Sequence, residues 1–308
     1  MPTLRQLDYL VALADTLHFR RAAERVNTTQ STLSLQVKAL EERLGVSLVE
    51  RTHTKVMLTP IGTEITAVAR RMLRDAQSIR DISKQHGNTL AGVMRLGVPP
   101  SIGPSLLPRV IPKIRQRFPL LKLFVREEPP QHLPRALEAG EYDLIVTVLP
   151  VVAKDLASST VFCEPLYLAM AKDHPLAHCG SINTADLRDV EVLALGPGNP
   201  LHHMVLVLCE KSGARLLYDY EGTSLETLSE MVAMGLGVTF LPGLFVRTRL
   251  VNDASIVVRE ISDHPLSRTV GLMWRQSSAS THAFSQLADV MRQEILSEMP
   301  DFAAGTTK

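Results

Sequence analysis

Near residue 90 the hydrophobic period of this chain changes, and few architectures accommodate both halves. Before that point apolar residues step by three or four: Leu4, Leu7, Leu10, Val11 and Ala14, then Ala22, Ala23 and Val26, then Leu33, Val37, Leu40 and Leu44. That is the spacing of amphipathic helices, and Thr3, the Asn27-Thr28-Thr29 turn and Gly45 supply the cap chemistry between them. Leu48 to Leu58 reads as two short extended segments around Thr52-His53-Thr54-Lys55, and Thr59-Pro60 opens another helix. Three helices and a hairpin make a winged helix-turn-helix over residues 1–59. The stripe Ile61, Ile65, Val68, Met72, Ala76, Ile79 and Ile82 then runs further than a small winged domain can cover. It is expected to pair with a second copy, with packing on its own chain as the alternative. Residues 60–90 are therefore a linker and dimerisation helix ending in a hinge at Gln85-His86-Gly87-Asn88-Thr89.

Beyond the hinge, strands and helices alternate. MRLGV (94–98), LKLFV (121–125) and DLIVTV (143–148) read as strands, with helices over 105–117 and 131–139 between them. A second unit follows in VEVLAL (190–195), a helix over 201–212, RLLYDY (215–220), a helix from Ser224 and GVTFL (237–241), with GLMW (271–274) as a late strand. Two α/β lobes over residues 91–308 are implied. In such an arrangement a ligand sits between the lobes, at strand C-terminal ends and helix N-termini.

The net charge of +1 hides an asymmetry, because residues 1–90 carry 13 Lys and Arg against 9 Asp and Glu. A basic head on a slightly acidic body suits phosphate binding by the head. No basic leader with an unbroken apolar stretch precedes it, and no apolar run is long enough for a membrane span, so a cytoplasmic protein without a membrane partner is expected. Cys163, Cys179 and Cys209 are widely spaced with no CxxC pair, which fits a reducing compartment and gives no zinc site. GVPPSIG is not a GxSxG elbow, and His202-His203 lacks the i,i+4 spacing of a helical metal pair. No enzyme and no cofactor are expected.

The third helix presents Gln30, Ser31, Thr32, Ser34, Gln36 and Lys38 off its apolar face, with Arg20 and Arg21 before it and Arg51, His53 and Lys55 in the hairpin after it. Short donors and acceptors with a few cations are what reach base edges and phosphates when a helix enters the major groove. The stretch FRRAAERVNTTQSTLSLQVKALEERLGVSLVERTHTKVMLTPIG (19–62) resembles the signature of LysR-type regulators: an AAE pair of turns, Gln-Ser opening the recognition helix, LE..LG closing it, and ER....LT..G in the wing. The resemblance implies that Arg20, Gln30, Ser31, Thr32, Ser34, Gln36 and Lys38 face double-stranded DNA and that Arg51 and Lys55 hold its backbone. Leu35 stands where many relatives have Arg. The resemblance further implies a dimerising linker, an effector domain resembling periplasmic binding proteins, assembly as a dimer or tetramer, and RNA polymerase as a partner.

RLGVPPSIGPSLLP (95–108), KDHPLA (172–177) and EGTSLETLSEMVAMGLGVTFLPGL (221–244) are most similar to the OxyR-like, peroxide-sensing branch of that family. That sensing uses a reactive Cys in a Gly-His-Cys segment, nine residues before a resolving Cys. Here the segment reads GPGNPLHHMVLVLC (196–209), so Cys209 takes the resolving position while Asn199 and Pro200 replace the His and the reactive Cys. The thiolate that peroxide would oxidise is absent. A pocket for a small effector, a carboxylate or other polar metabolite, is expected instead from Pro100, Ser101, Thr147, Asn199, His202, His203, Thr223 and Ser224. The alternative is a thiol-based redox regulator using Cys209 with Cys163 or Cys179.

Overall fold

A computed structural model of the chain describes residues 1–51, 56–84, 90, 92–218, 220, 222 and 224–303, without the side chains at 51 and 80–84. The chain divides into two compact units, Met1–Asn88 with Glu138–Glu141, and Thr89–Leu137 with Tyr142–Lys308.

In the first unit α1 (Leu4–Thr16), α2 (Phe19–Arg25) and α3 (Gln30–Leu44) precede a ribbon of β1 (Val49–Arg51) and β2 (Val56–Leu58), and α4 (Pro60–Lys84) follows. Local chemistry sets these boundaries. Thr3 and Gln6 form a reciprocal capping box at the start of α1, and Gly45 stops α3 in the left-handed region, at φ 70°. The apolar faces converge on a core of Leu10, Leu13, Ala22, Leu33, Val37, Leu40 and Leu48, none of which reaches solvent. Each large aliphatic side chain there contributes about 1.5–3 kcal/mol by leaving water. The Asp15 carboxylate on α1 accepts from Arg25 on α2, at 2.7 Å, and from Arg70 on α4, which ties the long helix to the head. Gly62 permits the close crossing of α4 behind the ribbon, because a Cβ there would lie 2.0 Å from the Leu48 carbonyl oxygen. The expected hairpin tip at 52–55 and hinge at 85–89 lie outside the described residues.

The second unit begins with β3 (Gly92–Val98), α5 (Gly103–Arg117), β4 (Leu121–Glu127), α6 (Leu133–Ala139) and β5 (Leu144–Leu149). This is the expected βαβαβ order, with β3 parallel to both β4 and β5. There follow β6 (Leu156–Ala171), β7 (Glu191–Val192), α7 (Pro200–Ser212), β8 (Arg215–Leu216), α8 (Leu225–Ala233), β9 (Thr239–Pro242) and α9 (Gly243–Arg249), then β10 (Ile256–Arg259), β11 (Leu266–Arg275) and α10 (Thr281–Glu298). Among the described residues the main sheet runs β10-β6-β11-β5-β3-β4, with β9 also paired to β6.

Two lobes share β6 and β11. Up to Phe162, β6 packs with Val98, Leu106, Trp274 and Phe284 in the core of the first lobe. From Leu166 onward it packs with Leu193, Val205 and Phe240 in the core of the second. The second lobe departs from the regular unit read in the sequence. VEVLAL and RLLYDY supply only the two-residue strands β7 and β8 to a small parallel pair, while β9 leaves to join β6 antiparallel. The long β6 escapes notice because Glu164 and Pro165 interrupt its apolar run where it passes between cores.

Candidate functional site

The outer surface of α3 is built by its own periodicity. With Leu33, Val37 and Leu40 committed to the core, about 100° of rotation per residue turns Ser31, Leu35 and Lys38 directly outward. Gln30 and Ser34 flank that strip on one side, and Thr32 and Gln36 lie on the other. Gln30, Ser31, Thr32 and Lys38 are exposed, and Ser34 and Gln36 are half-buried. Thr29 caps the helix by accepting from the Thr32 amide at 3.2 Å. Leu35, 65% exposed, sits in the middle of the strip. The two cations are loosely occupied: Arg20 reaches Glu24 at 3.2 Å and Lys38 reaches Glu42 at 3.8 Å, both as exposed helical neighbours. Such pairs contribute little and yield readily to a phosphate. Glu41 went unremarked in the sequence, yet its Oε1 accepts from the Leu48 and Val49 amides at 2.8 and 3.0 Å and so fixes β1 against the helix. The Arg51 side chain and all of Lys55 lie outside the described residues.

In the second unit a cleft of about 540 Å³ opens between the lobes. Thr147, Leu149 and Val151 face it from the end of β5 and the loop beyond, Ser267 to Thr269 from β11, Pro130, Gln131 and Pro134 from the approach to α6 and its start, and Gly198, Pro200, His203 and Met204 from the head of α7. Of the residues expected here, Thr147 and His203 line the cleft. Asn199 instead caps α7, its Oδ1 accepting from the Leu201 amide at 3.0 Å. Nδ1 of His202 lies 2.6 Å from the Leu195 carbonyl. Ser224 caps α8 by accepting from the Thr227 amide at 3.2 Å, and it donates to Glu226. These three side chains are held by helix ends and backbone. Pro100 and Ser101 sit in the turn after β3, and Thr223 lies outside the described residues.

Sequence reading missed the charged pair at the lobe crossover. Glu164 on β6 and Arg268 on β11 are register partners, with side chains 0% and 2% exposed. Arg268 Nε donates to Glu164 Oε1 at 2.8 Å, and Nη2 donates to the Ser101 carbonyl at 3.3 Å. Glu164 Oε2 accepts from the Leu244 amide at 2.6 Å. Arg268 Nη1 is buried with no hydrogen-bond partner among the described residues, and Arg268 is part of the cleft wall. A buried donor left in that state costs about 1–3 kcal/mol. The available signal was a lone charge inside each of two apolar strands.

All three cysteines are free. Cys209 lies in the second core, 5% exposed, and burial pushes its thiol up from 9.0 to about 11. Among the described residues no group of His, Cys, Asp and Glu is arranged to hold a metal ion, and no helix is long and apolar enough to cross a membrane.

Residues 4–63 match the family described as bacterial regulatory helix-turn-helix protein, lysR family, and residues 87–295 match the LysR substrate binding domain. The chain is 37% identical over 289 residues to the DNA-binding transcriptional dual regulator OxyR of Escherichia coli, covering 94% of each protein. It is 35% identical over 301 residues to the hydrogen peroxide-inducible genes activator of Dickeya chrysanthemi, covering 98% of each. The structure resembles that of a full-length OxyR variant from Pseudomonas aeruginosa, with a TM-score of 0.81, 39% identity and 94% of each chain covered.

Proposed function

The chain belongs to the LysR family of transcriptional regulators, and from that premise we propose a DNA-binding regulator switched by a small effector in the cleft beside Arg268. It is a regulator and not an enzyme. Gln30, Ser31, Ser34 and Lys38 present their polar groups to the major groove, with Thr32 and Gln36 at the edge of that surface and Arg20 on the phosphates. Leu35 brings an apolar contact where a cation would otherwise follow the backbone, a choice suited to a thymine methyl. Ile61, Val68, Met72 and Ile79, all exposed along α4, supply the seam for a second copy.

The observation that carries the effector reading is the cleft itself. It is lined from both lobes, so a ligand there has different contacts in open and closed states and can shift their populations. A second reading, oxidant response through Cys209, is supported better than the first by the names of the relatives, which include an activator of hydrogen peroxide-inducible genes. The side chains of this protein support the first. By the resemblance to the peroxide-sensing branch, Pro200 stands where the reactive thiol is expected, and Cys209 is buried with a raised pKa, which suppresses its nucleophilic form. A promoter-reporter comparison separates the two. Thr147→Val should blunt the response while Cys209→Ser leaves it intact, and the opposite pattern would establish thiol sensing.

A further inference from the structure

Resting on the reading of α4 as the seam for a second copy, we propose that Asp15 is a positioning residue for DNA recognition. Its ion pair with Arg70 fixes the angle between the head and α4, and through that angle the half-site spacing that a pair of heads accepts. The Asp15 carboxylate lies in the last turn of α1, where the negative end of the helix dipole disfavours an acid. Two cations answer it there. Oδ2 accepts from Arg25 Nη1 of α2 at 2.7 Å, and Oδ1 accepts from Arg70 Nη2 of α4. The side chains of Asp15 and Arg70 are each 20% exposed, against 50% for Arg25. The tie to α4 is therefore the less screened of the two.

The place of that tie along the helix gives it leverage. At the start of α4, Thr59 donates to the Ser47 carbonyl at 2.8 Å and accepts from the Gly62 amide at 2.9 Å, which anchors the helix to the base of the ribbon. Further along, Ile65, Ala69 and Leu73 pack on the core of the head, and apolar packing is non-directional. A charged hydrogen-bonded pair has a direction. Arg70 stands two turns beyond Gly62, about 12 Å along the axis. A tilt of about 5° about Gly62 shifts Arg70 by about 1 Å, enough to weaken a charge-assisted bond. The same tilt carries the far end of α4, about 33 Å away, through about 3 Å, roughly one base-pair step. An intact pair thus holds a second head to within about a step of its place, because Ile61, Val68, Met72 and Ile79, exposed on the same helix, pass the angle to the partner copy.

The test uses the full-length protein and duplexes that carry two copies of a half-site selected from random sequence, separated in steps of one base pair. Moving a half-site by one step also turns it by about 34° around the duplex. The parent should therefore prefer one spacing and bind about tenfold more weakly one step away. Asp15→Asn adds a positive charge and Arg70→Met removes one, so an effect common to both cannot come from charge on the DNA. Both should flatten the preference to about two- to threefold. Arg25→Met and the conservative Asp15→Glu should keep it sharp. Binding to a single half-site, taken as a ratio to random duplex, should not change in any of the four. A pair that served stability alone would lower the unfolding midpoint and leave the spacing profile as it is in the parent.

A sharp optimum retained by both Asp15→Asn and Arg70→Met would overturn the proposal and leave the seam standing. Flattening by Asp15→Asn without flattening by Arg70→Met would overturn it too, since the effect would then run through Arg25. A parent indifferent to spacing would likewise overturn it. Sedimentation of that parent as a monomer would show that the seam falls with the proposal, and as a dimer that the seam survives.

Discussion

The Cys209 thiol offers a direct measure of how far this protein can respond to oxidants. Burial in the second core places its pKa near 11 instead of 9.0. At pH 7 roughly one molecule in ten thousand would then carry the thiolate, about a hundredfold fewer than for the unperturbed thiol. Alkylation of the native protein by iodoacetamide, mapped by mass spectrometry, should therefore be at least about a hundredfold slower at Cys209 than at the exposed Cys179. The same shift has a stability counterpart. The folded pKa is above the unfolded one, so the protonated form is favoured by folding. This contribution is complete below about pH 9 and is lost as the pH rises to about 11. Two pH units at about 1.4 kcal/mol each give roughly 2.7 kcal/mol. Cys209→Ala should thus lose about that much less stability than the parent between pH 8 and pH 11 in denaturant titrations, with every other alkaline titration common to both proteins. Comparable alkylation rates at Cys209 and Cys179, or parallel alkaline limbs, would refute the reasoning and return Cys209 to the list of sensing thiols.

Replacing Gln30 by Ala should cost about 1–3 kcal/mol on a selected operator and little on random duplex, as read by competition binding; equal losses on both would remove Gln30 from base readout. Arg20→Ala should weaken both kinds of DNA and lower the salt dependence of binding by about one ion. Met72→Glu places a charge in the exposed seam of α4 and should reduce dimerisation and operator affinity together; an unchanged sedimentation coefficient at micromolar concentration would argue against that seam. Leu33→Ala, at a position with no solvent exposure, should destabilise the DNA-binding head by about 2–5 kcal/mol in chemical denaturation. A loss below 1 kcal/mol would mean that the head repacks freely.

The helical head was legible almost residue by residue because its determinants are local. Thr3, Gly45 and the start of α3 at Gln30 are signalled by neighbours within a turn or two. The start of the first lobe, from β3 to β5, was legible for the same reason, β3 and β4 each being followed by its own crossover helix, whereas the α10 that completes that lobe was not read. The second lobe was only partly so, since β6 gains its meaning from β9, β10 and β11, which lie far along the chain. At the cleft, Thr147 and His203 were foreseen as lining residues, whereas Asn199 and Ser224 were read as ligand contacts. Short polar side chains at a helix start serve a ligand or the helix equally well, and here they serve the helix. The Arg268 site was hidden because its counter-ion is 104 residues away; neither charge announces the other in sequence.

The sharing of β6 and β11 between the lobes also dictates an order of assembly. The second core is made of residues between Leu166 and Ile261, so it can close as soon as that stretch is available. The first core begins with Leu90 but needs Val270, Phe284, Ile295 and Phe302. The lobe that starts first in the chain is therefore finished last. During synthesis β3, β4 and β5 must wait for β11 and α10, an interval on the order of ten seconds at ribosomal speeds, with their apolar faces uncovered. The second lobe is in effect an insertion that folds inside an unfinished host, and nascent chains ending before Thr281 should be the ones that chaperones hold longest.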